Sequence, residues 1–173
     1  TSADEAFMHG RYHLAVATNR PEVYELSCDV EHLVCTRGDM VLVTHDVPQF
    51  GTTSGRIKDM VFSGSDLTAL VLDEPVTMDV TRTWGIKVRL ATGDVWYRQV
   101  AAIDGETDTV TLMVPLDVGQ TMPRAGDLFG FGPVGQETRE MVVKSIEPDS
   151  SMNARITLID HAPEIHDADV GTI

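Results

Sequence analysis

Gly85-Ile86-Lys87-Val88-Arg89-Leu90, followed by Thr92-Gly93-Asp94 and then Val95-Trp96-Tyr97-Arg98-Gln99-Val100, is the stretch that decides the fold. Ile86, Val88 and Leu90 fall on one side of an extended chain and Lys87 and Arg89 on the other, which is the two-residue period of a half-buried strand. Thr92-Gly93-Asp94 has the chemistry of a tight turn, so the chain is expected to return antiparallel through Val95 to Val100 as a hairpin.

The same rhythm extends in both directions. Upstream, strands are expected at Val23 to Asp29, Met40 to Asp46, Arg56 to Ser63 and Leu67 to Leu72, separated by Arg-Gly-Asp, Phe-Gly-Thr-Thr-Ser-Gly and Gly-Ser-Asp turns. Downstream they are expected at Thr109 to Val114, Asp127 to Phe131, Glu140 to Ile146 and Arg155 to Ile159, punctuated by Asp104-Gly105, Pro115, Pro123 and Pro148. About ten short strands spaced this regularly predict a mainly β chain, an antiparallel barrel or sandwich. No long helical pattern lies between strands, which argues against a parallel doubly wound sheet.

Helix is expected only at the N-terminus. Ser2 and Glu5 match a capping box, and Ala3, Ala6, Phe7, Leu14 and Ala15 form an apolar stripe to about Val16, with Gly10 a weak point. Asn19-Arg20-Pro21 ends it, and a short helical turn is expected near Val30 to Val34. The predicted division is a helical segment and linker at 1–20, a β-barrel-type body at 21–161, as one unit or two lobes sharing a seam, and a C-terminal connector at 162–173. One internal echo stands out: Arg37-Gly38-Asp39 before Met40-Val41-Leu42-Val43, and Arg124-Ala125-Gly126-Asp127 before Leu128-Phe129. A shared need for tight turns explains it more simply than duplication.

The net charge of −14 sets up a field that repels phosphate backbones and anionic lipids, so neither nucleic-acid-specific binding nor membrane insertion is expected. No apolar run approaches eighteen residues, and the N-terminal segment has no signal-peptide pattern. Cys28 and Cys35 are too few for a disulfide framework and lack zinc-ligand spacing; they read as buried or half-buried thiols, with a local disulfide the alternative.

Constellations with chemical potential are sparse. His9 and His13 share a helical face but lack a third metal ligand. His45-Asp46 and Asp160-His161 suggest acid–base pairs, yet no serine lies in a nucleophile elbow and neither cysteine has a thiol-protease signature. Arg37-Gly38-Asp39 reads as a turn into a strand, and Gly130-Phe131-Gly132 as close backbone packing, not a phosphate loop. Asp104, Glu106 and Asp108 alternate in one loop without the distal bidentate glutamate of a Ca²⁺-binding hand. No catalytic, cofactor-binding or metal-binding residue, and no cofactor, is therefore expected, and the chain reads as a non-enzyme.

Several pieces occur in an order that resembles the phage tail-tip or host specificity protein J family. They are Arg20-Pro21-Glu22-Val23-Tyr24, Arg37-Gly38-Asp39-Met40-Val41, His45-Asp46-Val47-Pro48 and Gly55-Arg56-Ile57, then Leu72-Asp73-Glu74-Pro75-Val76, Gly126-Asp127-Leu128-Phe129-Gly130-Phe131-Gly132 and Ala162-Pro163-Glu164-Ile165-His166-Asp167-Ala168-Asp169. The resemblance implies a structural component of a phage or prophage tail tip, located in the virion and made in the bacterial host cytoplasm. It implies baseplate-hub-like β-barrel lobes, self-association as a homotrimer in the full-length protein, and contacts with other tail proteins. The chain would be an internal piece, with receptor contact at the bacterial surface made by regions outside it. Two other functions are weighed: a carbohydrate- or receptor-binding β-module using Trp84, Trp96 and Tyr97 as an aromatic platform, and a hydrolase built on His45 or His161. An aromatic content of 6% counts against the first.

Overall fold

The computed structural model describes residues 2–45, 50–117 and 119–170. Helix α1 (Ala3–Asn19) opens the chain. Ten strands follow among the described residues: β1 (Val23–Cys28), β2 (Met40–Val43), β3 (Thr53–Ser63), β4 (Asp66–Met78), β5 (Trp84–Arg89), β6 (Val95–Val100), β7 (Gly105–Leu116), β8 (Leu128–Pro133), β9 (Arg139–Pro148) and β10 (Ala154–Asp160). Short 3-10 helices cover Val30–Val34 and Pro163–Val170. The mainly β, antiparallel class expected from the periodicity is the class observed.

Local chemistry explains the element boundaries. Ser2 Oγ accepts the Glu5 N–H at 3.1 Å and caps α1, and the Arg20 N–H closes the last turn onto the Val16 carbonyl. The helix runs past Gly10 because a mid-helix glycine costs only about 1 kcal/mol relative to alanine. Strand β4 continues through Pro75, which the sequence reading treats as beyond the strand. Its ladder with β7 shifts register between Val71 and Val76, so the proline that cannot donate falls in the irregularity.

The strands sort into two hydrogen-bonded sets. Six close into a barrel in the order β3-β4-β7-β6-β5-β8, and four form an open sheet in the order β1-β10-β9-β2. The chain correspondingly makes two compact units: Val43–Arg139 holds the barrel, and the residues up to Leu42 together with those from Glu140 onward hold the sheet. This differs from the expected division at 20/21 and 161/162. A barrel that closes on itself offers no free edge, so β1, β2, β9 and β10 pair among themselves. Nor is the segment from 162 a bare connector, since Ala162, Ile165 and Ala168 are buried with Ala15 of α1 in a small apolar cluster.

In the barrel the decisive hairpin behaves as its pattern predicts. Ile86 and Val88 are fully buried, opposite Phe131 and Phe129 of β8, while Arg89 points outward. Trp84 stacks on Phe131 with ring centroids 5.4 Å apart. Burying each large side chain of this kind contributes about 1.5–3 kcal/mol.

The internal echo turns out to be one geometry used twice. In the first turn the Asp39 N–H donates to the Thr36 carbonyl at 3.1 Å, and Asp39 Oδ2 accepts the Thr36 N–H at 2.8 Å. In the second the Asp127 N–H donates to the Arg124 carbonyl at 3.1 Å, and Asp127 Oδ2 accepts the Arg124 N–H at 2.8 Å. Gly38 and Gly126 take φ values of 97° and 93°, which glycine alone adopts readily. Each turn is then clamped by a reciprocal backbone pair, Gly38 and Asp39 with Val143, and Gly126 and Asp127 with Ile57. The turn before β2 thus docks on β9, and the turn before β8 docks on β3. Since β3 follows β2 and β9 follows β8, each turn grips the strand that follows the other. Four matching hydrogen bonds and reciprocal pairing exceed what a generic lead-in to a strand requires, so the two turns are structural equivalents.

Candidate functional site

Among the described residues the barrel holds one deeply buried charged group, Glu137, at 1% exposure. It lies in the link between β8 and β9, where Gly135 takes a positive φ and turns the chain. Glu137 Oε1 accepts the Gly135 N–H at 3.0 Å. Oε2 makes no hydrogen bond, but the Lys87 ammonium stands 3.5 Å away and also donates to Thr138 Oγ1 at 3.1 Å.

Space for the carboxylate comes from missing side chains. A Cβ on Gly85 would stand 2.6 Å from Glu137 Oε1 and 2.8 Å from Tyr97 Cε2. Tyr97 faces Lys87 across the β5–β6 ladder. Burial first, and the neighbouring Glu137 charge second, raise its hydroxyl pKa above the ordinary 10.0. The backbone of Glu137 is held as closely as its side chain. Its carbonyl accepts from Thr44 Oγ1 at 3.2 Å and would lie 2.6 Å from a Cβ on Gly51 and 3.1 Å from one on Gly130. Gly130 and Gly132 therefore serve close backbone packing, as their spacing suggests.

A carboxylate, an ammonium and a phenol in contact can exchange protons. Here they are packed against one another and against backbone, so the arrangement acts as a clasp that fixes residues 135–138 on β5 and β8. Breaking such a buried pair from one side is strongly destabilising because the remaining group is left uncompensated.

The residues singled out in the sequence are dispersed. His9 and His13 flank an open depression on α1 with Met8 and Tyr12. His161 pairs with Glu140, Nδ1 to Oε2 at 3.1 Å, not with its neighbour Asp160, whose carbonyl accepts from Arg20 Nε at 2.8 Å. His45 belongs to the barrel unit, where its backbone bridges Phe50. Asp46, Val47 and Pro48 lie outside the described residues. Asp104 Oδ1 accepts the Val80 N–H and Asp108 Oδ1 accepts from Thr109 Oγ1, so both are engaged locally. Among the described residues no three His, Cys, Asp or Glu side chains converge as metal ligands. Cys28 and Cys35 are half-buried, and Cys35 Sγ donates to the His32 carbonyl at 3.5 Å.

The proposed aromatic platform does not form. Trp84 and Trp96 are buried in the barrel, Trp84 Nε1 donates to the Asp79 carbonyl, and Arg98 covers the Trp96 ring at 5.1 Å. A second open depression, in the sheet unit between the end of β1 and the β9–β10 turn, is lined by Cys28, Asp29, Glu147, Asp149 and Arg155 among others. Asp149 is already engaged there by the Ser151 and Asn153 N–H groups.

Two features escaped sequence reasoning. Glu137 sits in a polar Gly-Gln-Glu-Thr run that reads as a solvated loop. The other is apolar surface: among the described residues, ten of nineteen exposed large hydrophobics fall within the first 42 residues, where Ala15 is the one buried hydrophobic. No helix among the described residues is long and apolar enough to cross a membrane. No family model matches the chain, and no curated protein matches it.

Proposed function

We propose that the chain is a structural component of a phage or prophage tail tip, a host specificity protein J-like module that works through protein–protein assembly and host attachment and has no catalytic role. The observation that supports this reading best is the contrast between a closed, clasped barrel and a set of exposed apolar side chains concentrated in residues 2–42. Exposed apolar side chains gathered in one part of a chain are the kind of surface that contact with another macromolecule covers. Self-association, as a homotrimer in the full-length protein, and contacts with other tail proteins belong to this reading, with receptor contact assigned to regions beyond these residues.

The test is localisation in particles. A peptide tag placed at the exposed Gly64 turn of the chain in an inducible lysogen should be labelled by gold-conjugated antibody at the distal end of purified tails. Deletion of the chain should yield particles that fail to adsorb. Particles free of label, with adsorption intact in the deletion, would exclude the assignment.

A further inference from the structure

The barrel wall is not equally tight all the way round. β5 pairs with both of its neighbours from Trp84 to Arg89, β6 on one side and β8 on the other. Among the described residues β6 and β7, by contrast, pair at Val100 and Leu112 alone, with the Ala101 N–H donating to the Thr111 carbonyl beside them. Val95 to Gln99 therefore have no ladder partner on the β7 side.

The cause lies in β7. While β4 advances two residues, from Leu67 to Ala69, the facing stretch of β7 covers five, from Leu116 to Thr111. Pro115, which has no N–H to donate, falls inside that excess. Adjacent strand residues point to opposite sides, so one of Met113 and Val114 should be covered, yet they are 60% and 67% exposed. Residues 113–115 thus stand off from both neighbouring strands.

Arg98 spans the seam instead. It faces Ile86 across the β5–β6 ladder, between the pairs Trp96–Val88 and Val100–Trp84, so it belongs to a row whose other members are buried. Its guanidinium lies 5.1 Å over the Trp96 ring. Nη1 donates to the Tyr97 carbonyl at 2.7 Å, and Nη2 donates to Gln120 Oε1, past the end of β7, at 3.4 Å. Beneath it Trp96 is buried, and among the described residues no group accepts from its Nε1–H. Opening at this point hands that N–H to water, which offsets part of the cost of wetting the ring.

We infer that the β6–β7 seam is a lateral gate in the barrel wall: residues 113–115 swing away from β6 while the other strand contacts hold, and Arg98, strapped to Gln120, keeps the gate shut over Trp96. Few backbone hydrogen bonds break in this motion, so it costs less than global unfolding. The gate stands or falls independently of the tail-tip reading.

Hydrogen exchange of the two indole N–H groups, followed by NMR on the whole chain, tests it. Trp84 Nε1, bonded to the Asp79 carbonyl, reports on the rest of the barrel, and Trp96 Nε1 reports on the seam. The expected result is exchange at Trp96 roughly a hundredfold faster than at Trp84. Arg98→Ala should speed Trp96 by about tenfold more and leave Trp84 unchanged, and the milder Gln120→Ala should act in the same direction. Equal rates at the two indoles, a Trp96 rate indifferent to both substitutions, or variants that speed both indoles alike would each overturn the inference.

Discussion

The barrel and the segment from α1 to β2 use similar sequence material to opposite ends. Seventeen buried residues of the barrel, among those described, form one cluster from Ile57 to Phe131, and every barrel strand is paired on both sides. The first 42 residues bury Ala15 and expose Phe7, Met8, Tyr12, Leu14, Leu33 and Val34, among others. One region satisfies its apolar side chains internally, and the other presents them. The difference shows that hydrophobic content alone does not separate a scaffold from a contact surface; closure does.

The sharpest way to break this contrast is in the barrel core. Phe131→Ala should cost about 3–5 kcal/mol, because it removes both the buried ring and its stacking on Trp84. Urea unfolding followed by tryptophan fluorescence would report it, and a loss under 1 kcal/mol would mean that the barrel is not the rigid part. The clasp should come next. Glu137→Ala should lose roughly 1–3 kcal/mol by leaving the Gly135 N–H without its acceptor and the Lys87 ammonium without its counter-charge, and Gly85→Ala a similar amount by driving a Cβ into the carboxylate. Thermal unfolding of the two variants and their combination checks this: if they share one site, the combined loss falls short of the sum.

The twin turns provide a finer comparison. Asp39→Ala and Asp127→Ala each remove a side-chain acceptor from an equivalent N–H, so each should cost about 1 kcal/mol. Chemical denaturation that finds one several times more damaging than the other would show that the shared geometry carries unequal loads. At the small end, Leu14→Ser should change stability by about 0.5 kcal/mol or less, since its side chain is exposed on α1. A larger loss by calorimetry at micromolar concentration would mean that this side of the helix is already covered in solution.

Alternation made the strands readable and left their partners undetermined. Ile86, Val88 and Leu90 announce an inward row because side-chain direction follows from the backbone alone. That β1 pairs with β10, so that Val23 meets Ile159, is set by which edges remain once the barrel has closed, and no local pattern encodes this. Glu137 was hidden for a similar reason, as its burial depends on Lys87, Tyr97 and Gly85, all distant in the chain. A partial signal did exist. Gly85, Gly130 and Gly132 occupy strand positions where side chains would be expected, and strand glycines mark a backbone or neighbour in close approach.

Reciprocal gripping by the two turns fixes an order of events during synthesis. All six barrel strands have been made once Pro133 has left the ribosome, whereas the sheet must wait for β9 and β10 to supply neighbours for β1 and β2. At about 5–20 residues per second, β1 spends several seconds outside the ribosome without its partner strand. In that interval its unpaired edge and the neighbouring apolar side chains are open to whatever the cell presents, chaperones and other copies of the chain included.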